Sequence, residues 1–348
     1  MKKWCSWILF TLSFCVACVN KKDRPIVCTF AGSGAMGSAN GPKREASFSN
    51  LMGVALDESG NVYVADSRNN LIRKISKDGM VTTLAGSGVA GSADGKGDSA
   101  SFFFPIGIAV DKKGFVYVAD THNSLIRKIS PDGVVSTLAG KRQYHTIPGT
   151  DQAEQRFDNP AGIAVDETGN AYVADWANNL IWKISPNGKM DTIAGNGSRG
   201  TKDGKGPSSS FYLPGGIALD SVGNIYVADT YNNMIRKILP GGIVTTFAGK
   251  TSKGSANGKG TEATFSHPVG ITIDKKGNLY VADTGNNRIR KITPDGMVSV
   301  FAGSGQRGSA NGRDTTASFY RPYGVAADQM GNVYVADYLN NQIRKISY

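Results

Sequence analysis

Cysteine is scarce in this chain of 348 residues: there are four copies, and three of them lie within the first eighteen residues. Without residues 1–17 only Cys18 and Cys28 would remain. Two cysteines cannot build a disulfide framework, and their spacing does not match that of a zinc site. We therefore expect a fold that is stabilised by burial of apolar side chains.

Long hydrophobic runs are also missing. The longest apolar stretch, WCSWILFTLSFCVA at residues 4–17, has 14 residues and follows Lys2 and Lys3, whereas a membrane span needs about 20. A short apolar stretch after a basic start predicts a secretory signal peptide over residues 1–17. The segment CVAC at 15–18 resembles a bacterial lipobox, which implies cleavage before Cys18 and lipidation of that residue.

This resemblance predicts an exported protein, anchored by lipid in the bacterial cell envelope, with residues 18–24 as a tether. Ordinary secretion and retention as an uncleaved anchor are the alternatives.

The formal net charge of +11 comes from 39 Lys and Arg against 28 Asp and Glu. Such an excess can indicate nucleic-acid binding. However, eleven of these basic residues recur in register along the chain, as Arg73, Lys74, Arg127, Lys128, Lys183, Arg236, Lys237, Arg290, Lys291, Arg344 and Lys345. Because they repeat with a scaffold and the chain is predicted to be exported, we expect no nucleic-acid partner.

A sixfold repeat organises the sequence, with a period of about 54 residues that is typical of solenoids and propellers. Its clearest marker is an aspartate at positions 66, 120, 175, 229, 283 and 337. Each copy holds four short β-rich runs separated by Gly, Asn or Asp turns, which predicts a four-stranded antiparallel meander. Such units repeated radially form an all-β propeller.

The two ends of the repeat region complement each other. The last copy stops at QIRKISY without a fourth run, whereas PIVCTFAG at 25–32 matches the fourth-run sequence VTTLAG at 81–86. We therefore predict that the N-terminal strand completes the last blade and closes a six-bladed ring over residues 25–348.

The template P-x-G-(I/V)-(A/T)-x-D, followed by G-N-x-Y-V-A-D-x-x-N-N-x-I-R-K-I, resembles the NHL repeat across residues 25–348. The resemblance implies a six-bladed β-propeller of the bacterial exported or lipoprotein type. NHL propellers include lyases, RNA-binding modules, receptor sensor domains and interaction platforms. The resemblance therefore does not determine the function.

The repeated charged residues are predicted to be structural, because a catalytic site is needed once rather than six times. Each Asp ends a strand before an Asn-containing loop, and an Arg follows seven residues later in the adjacent strand. The predicted structural set is Asp66, Asp120, Asp175, Asp229, Asp283, Asp337, Arg73, Arg127, Arg236, Arg290 and Arg344.

An enzyme site at the axial mouth is the alternative function, as a small-molecule lyase or lactonase. The candidate catalytic residues are His267, Arg321 and Tyr323. NHL-like amidating lyases hold zinc through histidines placed after the repeated proline. Here that position holds Met52, Ile106, Ala161, Gly215, Val269 and Tyr323, so we expect no metal and no cofactor.

Blade three departs from the template, and this departure carries the preferred functional hypothesis. Trp176 follows its aspartate, Trp182 replaces the repeated Arg, and the preceding loop at 140–158 contains Tyr144 and His145. Aromatic side chains on a rigid face are typical partner anchors. We predict a monomeric, non-enzymatic protein that binds a protein or glycan partner through these four residues. The alternative is drift, with Trp182 filling the space of the lost Arg.

Overall fold

The computed structural model describes residues 24–141 and 156–348, whose strands form six antiparallel sheets, the blades of a propeller. We name the four main strands of each blade inner, second, third and outer, counted from the propeller axis. The inner strands are Gly53–Leu56, Pro105–Val110, Pro160–Val165, Pro214–Leu219, Pro268–Ile273 and Pro322–Ala327. The second strands are Val62–Asp66, Val116–Asp120, Ala171–Asp175, Ile225–Asp229, Leu279–Asp283 and Val333–Asp337.

The third strands are Leu71–Ile75, Leu125–Ile129, Leu180–Ile184, Met234–Ile238, Arg288–Ile292 and Gln342–Ser347. The outer strands are Met80–Ala85, Val134–Gly140, Met190–Ala194, Ile243–Gly249, Met297–Ala302 and, in blade six, Ile26–Ala31. This arrangement confirms the predicted six-bladed all-β fold.

Five blades carry an additional two-residue strand that pairs with the outside of the outer strand. These strands are Gly41–Pro42, Gly95–Lys96, Gly204–Lys205, Gly258–Lys259 and Gly312–Arg313. They begin at the glycines that the sequence marks as turns, so these blades have five strands rather than the four predicted. In these five blades the segment before the inner strand thus runs along the blade edge and covers it.

Short 3-10 helices complete the described elements. They are Ser67–Asn69, Gly97–Ser99, Thr121–Asn123, Gly206–Ser208, Thr230–Asn232, Gly260–Glu262, Thr284–Asn286, Asp314–Thr316 and Tyr338–Asn340. Across residues 24–141 and 156–348, no helix is long and apolar enough to cross a membrane.

The ring is closed by the N-terminal strand. Ile26–Ala31 pairs antiparallel with Gln342–Ser347, in a register that runs from Ile26 opposite Ser347 to Ala31 opposite Ile343. Blade six is therefore assembled from both ends of the repeat region, as the sequence predicts.

The apolar core is divided among the blade interfaces. Six buried clusters each combine side chains from two adjacent blades. One repeated phenylalanine is fully buried in each cluster, at Phe48, Phe102, Phe157, Phe211, Phe265 and Phe319. Each blade is thus stabilised mainly by its neighbours, as expected for repeated units that cannot bury their own faces.

A ring of glycines brings the inner strands together. These glycines are Gly53, Gly107, Gly162, Gly216, Gly270 and Gly324, and each faces the carbonyl oxygen of the residue before the glycine in the next blade. A Cβ on Gly107 would lie 2.0 Å from the Ala161 oxygen, and one on Gly324 would lie 2.4 Å from the Met52 oxygen. This second contact joins blade six to blade one, so glycine is required for close approach around the whole axis.

Candidate functional site

The repeated aspartates and arginines lie inside the blades. All six Asp and all five Arg side chains are fully buried. In the five blades that contain both, the Arg Nη1 lies 2.8–3.0 Å from the Asp Oδ2. These carboxylates therefore hold the fold together and are not available on the surface.

Blade four shows what each aspartate does. Asp229 accepts the backbone N–H of Tyr212 at 2.8 Å, the Asn232 side-chain amide at 2.8 Å and Arg236 Nη1 at 2.9 Å. The N–H of Tyr231 in turn donates to the carbonyl of Tyr212 at 3.1 Å. Because Asp229 joins the two segments that carry Tyr212 and Tyr231, the buried network fixes the positions of the half-buried Tyr212 and the exposed Tyr231.

Arg236 extends this network to the long segment before the inner strand. Its Nη2 donates to Asp203 Oδ1 at 2.6 Å, and its guanidinium lies over the Phe211 ring at 5.2 Å from the centroid. The same arrangement recurs in the other blades that contain the Arg, with Asn40, Asp94, Asn257 or Asn311 accepting from Nη2.

In blade three, Trp182 takes the place of the arginine. Its indole Nε1 donates to Asp175 Oδ2 at 2.8 Å, and its ring packs edge-on against Phe157 with 6.0 Å between centroids. Trp182 is only 5% exposed, so a partner cannot reach it. We therefore correct its assignment as a contact residue: Trp182 is an internal replacement for the arginine.

The exchange leaves Asp175 beside a neutral donor. Burial raises the pKa of Asp175 to about 7, and the charge of Asp158 acts in the same direction. At pH values between about 3.9, the pKa of an aspartate in an unfolded chain, and this raised value, Asp175 keeps its proton in the native state but loses it in the unfolded state. The stabilisation that comes from the neutral form of Asp175 is complete below about pH 4 and decreases as pH rises toward 7.

The Trp182→Arg variant should reduce this loss only in part, because burial raises the pKa of Asp229 and of Asp337 to about 6 even beside an arginine. We expect its free energy of unfolding, relative to wild type, to increase with pH between about 6 and 7, by up to about 1.4 kcal/mol per pH unit. Urea unfolding of both proteins across this range measures the difference. A difference that does not change with pH would contradict the expectation.

The loop face consists of the segments at one end of the blades, where inner and third strands begin and second and outer strands end. It includes six residues that precede the inner strands in a left-handed conformation: Asn50, Phe104, Asn159, Leu213, His267 and Arg321, with φ between 49° and 56°. Non-glycine residues rarely adopt this conformation, and the surrounding structure must hold it. The N–H groups of His267 and Arg321 each donate at 2.9 Å to an Asn of the preceding blade, Asn233 or Asn287.

Tyr231 is the centre of an aromatic cluster on this face, formed by Trp176, Tyr212, Tyr231 and His267. Its ring centroid lies 5.9 Å from Trp176, 5.2 Å from Tyr212 and 5.1 Å from His267. Tyr231 is 43% exposed, and the three contacts come from blades three, four and five. The cluster therefore presents an exposed aromatic surface that spans two blade interfaces.

Gly215 lies beside Trp176 and Thr230. A Cβ on Gly215 would lie 2.7 Å from Thr230 Oγ1, 3.3 Å from Val269 Cγ1 and 3.4 Å from the Trp176 ring. The equivalent positions in other blades carry Met, Ile, Ala, Val or Tyr. A side chain at position 215 would therefore have to displace the Thr230 hydroxyl, whereas its Cβ would make only an ordinary van der Waals contact with the indole.

Of the alternative catalytic residues, His267 belongs to the aromatic cluster, and Arg321 and Tyr323 are close enough to it to interact electrostatically with His267 and Tyr231. The pKa of His267 is lowered by its partial burial and by the charges of Lys253 and Arg321. Burial raises the pKa of Tyr323, with additional effects of Tyr338 and Tyr231. At neutral pH the imidazole is therefore uncharged, and the phenol stays protonated. The region around His267, Arg321 and Tyr323 therefore provides cations, hydrogen-bond donors and aromatic rings.

The axial cavity is small, at about 70 Å³, and is lined by inner-strand residues such as Val269, Gly270 and Tyr323. Small-molecule sites usually have volumes of about 300–1,000 Å³. Among residues 24–141 and 156–348, no group of three or more His, Cys, Asp or Glu side chains is arranged to hold a metal ion. Larger cavities, of about 540 and 350 Å³, lie among the tight turns at the opposite end of blades three and four. The axis itself therefore has little space for a ligand.

Sequence reasoning found only part of this site. Trp176 lies in the aromatic cluster, whereas Tyr144 and His145 fall outside the described residues. Tyr212, Tyr231 and Lys253 were missed. A signal for Tyr231 existed, because the second position after the repeated Asp varies as Arg68, His122, Ala177, Tyr231, Gly285 and Leu339.

Curated relatives align with most of this chain. It is 30% identical over 313 residues to Protein SUPPRESSOR OF QUENCHING 1, chloroplastic, of Arabidopsis thaliana, covering 84% of this chain and 30% of that protein. It is also 30% identical over 334 residues to NHL repeat-containing protein 2 of Gallus gallus, covering 84% and 45%. The chain thus spans less than half the length of either relative.

Solved structures share the fold. A Bacteroides thetaiotaomicron protein of unknown function superposes with a TM-score of 0.72 at 24% identity, covering 93% of this chain and 76% of that one. An auxiliary nutrient binding protein from the same species superposes with a TM-score of 0.70 at 17% identity and the same coverage.

The NHL repeat model matches residues 48–75, 157–184, 211–238, 265–292 and 319–346, and the Teneurin NHL domain model matches residues 89–152. These matches fall on successive blades of the closed ring. The chain belongs to the NHL-repeat family of six-bladed β-propellers.

Proposed function

We propose that this propeller is a non-enzymatic binding protein that holds a protein or glycan partner against its loop face. The observation that carries the proposal is the exposed aromatic cluster around Tyr231, supported from three blades. Large aromatic side chains in a rigid setting contribute much of the energy of binding interfaces, since little conformational entropy is lost when they are covered.

Two further observations support this function. The small axial cavity leaves little space for an enclosed substrate, and the repeated carboxylates are used inside the blades. A protein of the same fold is named an auxiliary nutrient binding protein, which is compatible with a binding role for this propeller. In our proposal the protein acts as a monomer, anchored to the cell envelope by lipid on Cys18.

The test is capture of partners from a cell-envelope extract with the full chain and a Trp176→Ala/Tyr231→Ala variant. We expect the variant to lose at least about tenfold in affinity for the captured partner, because each truncated aromatic anchor costs more than about 1 kcal/mol. The Tyr348→Ala variant is the matched control, because Tyr348 is exposed at the C-terminal end, away from the cluster. Equal capture by all three proteins, or no capture by wild type, would refute the proposed function.

A further inference from the structure

Charge is distributed very unevenly on the described part of the loop face. The six repeated aspartates are fully buried, so they contribute no exposed carboxylate. Asp158 lies on this face and is half-buried. Asp94 and Asp203, on the long segments that lead from this face along the blade edges, are 51% and 48% exposed and each is paired with a buried arginine. The exposed cationic side chains there include Arg68, Lys141, Arg199, Lys250, Lys253, Arg307 and Arg321.

Several of these cations lie next to the aromatic cluster. The guanidinium of Arg199 lies 5.1 Å from the centroid of Tyr212. Lys253 and Arg321 are close enough to His267 for their charges to lower its pKa. An exposed aromatic surface with positive charge on two sides is complementary to a ligand that combines an apolar ring face with negative charge.

The orientation of the rings favours a sugar over a nucleic-acid strand. Trp176 and His267 meet Tyr231 at interplanar angles of 87° and 73°. Single-stranded nucleic acids bind to aromatic side chains on which successive bases stack, and these edge-on rings do not form a series of parallel platforms. One exposed ring with hydrogen-bond donors around it fits a saccharide unit, which has an apolar face and a polar rim.

We propose that the loop face binds an acidic polysaccharide, with a uronate unit on Tyr231 and Trp176 and its carboxylate paired with Arg321 and Lys253. The inference rests on the proposed binding function and specifies its ligand class. Arg321 suits this role because a guanidinium can engage a carboxylate through two parallel hydrogen bonds.

Binding of polygalacturonate to the full chain, measured by titration calorimetry, tests the inference. Dextran is the neutral polymer control, and oligo-dT provides an anionic polymer without sugar acids. We expect polygalacturonate to bind, with affinity that decreases as salt increases, and dextran and oligo-dT to bind at least about tenfold more weakly.

Two variants separate the contribution of the aromatic ring to binding from that of the positive charge. Tyr231→Ala should weaken polygalacturonate binding about tenfold, and Arg321→Gln should weaken it about fivefold at low salt and less at high salt. Tyr348→Ala and Lys77→Gln are the matched controls, because both residues are exposed outside the loop face. They should leave the affinity unchanged.

Several outcomes would overturn the inference: no binding of polygalacturonate, equal or tighter binding of dextran or oligo-dT, or equal affinity of the Arg321→Gln variant and wild type. None of these would by itself refute the proposed function, because a protein or neutral glycan captured from the extract and lost on mutation of the aromatic cluster would still support it.

Discussion

Replacing Arg236 by Ala is expected to lower the free energy of unfolding by about 3–5 kcal/mol. The guanidinium is fully buried and donates to Asp229, to the carbonyl of Ser210 and to Asp203. Its loss leaves the Asp229 carboxylate buried without a cation and removes the cover from the Phe211 ring. Urea unfolding monitored by tryptophan fluorescence measures the change.

Lys237→Ala is the matched control for this loss. Lys237 is the next residue of the same strand, but it is half-buried and its ammonium lies over the Tyr226 ring at 5.4 Å. We expect a cost of about 0.5–1 kcal/mol. Equal destabilisation by the two substitutions would show that the buried ion pair has no special structural importance.

Gly270→Ala is expected to destabilise the ring by about 3 kcal/mol, the upper end of the usual cost of overpacking. The new methyl group would lie 2.1 Å from the Tyr323 carbonyl oxygen and 3.0 Å from the Gly324 Cα. Both atoms belong to the backbone of the next blade, so rotation of a side chain cannot relieve the clash. The blades would have to separate, at a cost in the packing of the cluster between blades five and six.

The control for conformational effects is Gly331→Ala. Gly331 has a φ of 84°, and no atom lies within 4 Å of an added Cβ. Its substitution therefore costs only backbone strain, about 1–2 kcal/mol. Comparison of the thermal unfolding of both variants separates the effect of the close approach between blades from the effect of backbone conformation. A Gly270→Ala protein as stable as the Gly331→Ala protein would contradict the steric argument.

The fold was predictable because six copies carry the same information. The repeated Phe, Asp and Arg each have one structural environment, so a single interpretation applies to every blade. The two-residue strands at Gly41–Pro42 and its equivalents were not predicted, because an Asn-Gly or Asp-Gly pair indicates a turn whether or not its neighbours pair with a strand.

The site was less predictable, because its contacts join residues from different copies. Tyr231 contacts Trp176 of blade three and His267 of blade five, and no local pattern encodes these distances. Trp182 was predicted to lie on the surface because it departs from the repeat. Its side chain instead replaces the arginine inside the blade and donates the hydrogen bond to Asp175.

The closure of blade six has a consequence for biosynthesis. The strand Ile26–Ala31 pairs with Gln342–Ser347, so it leaves the ribosome long before its partner strand does. At roughly 5–20 residues per second, synthesis leaves this strand without its partner for on the order of tens of seconds. Throughout that interval its edge is open to pairing with other chains. A delay of folding until synthesis is complete would therefore protect this propeller from misassembly.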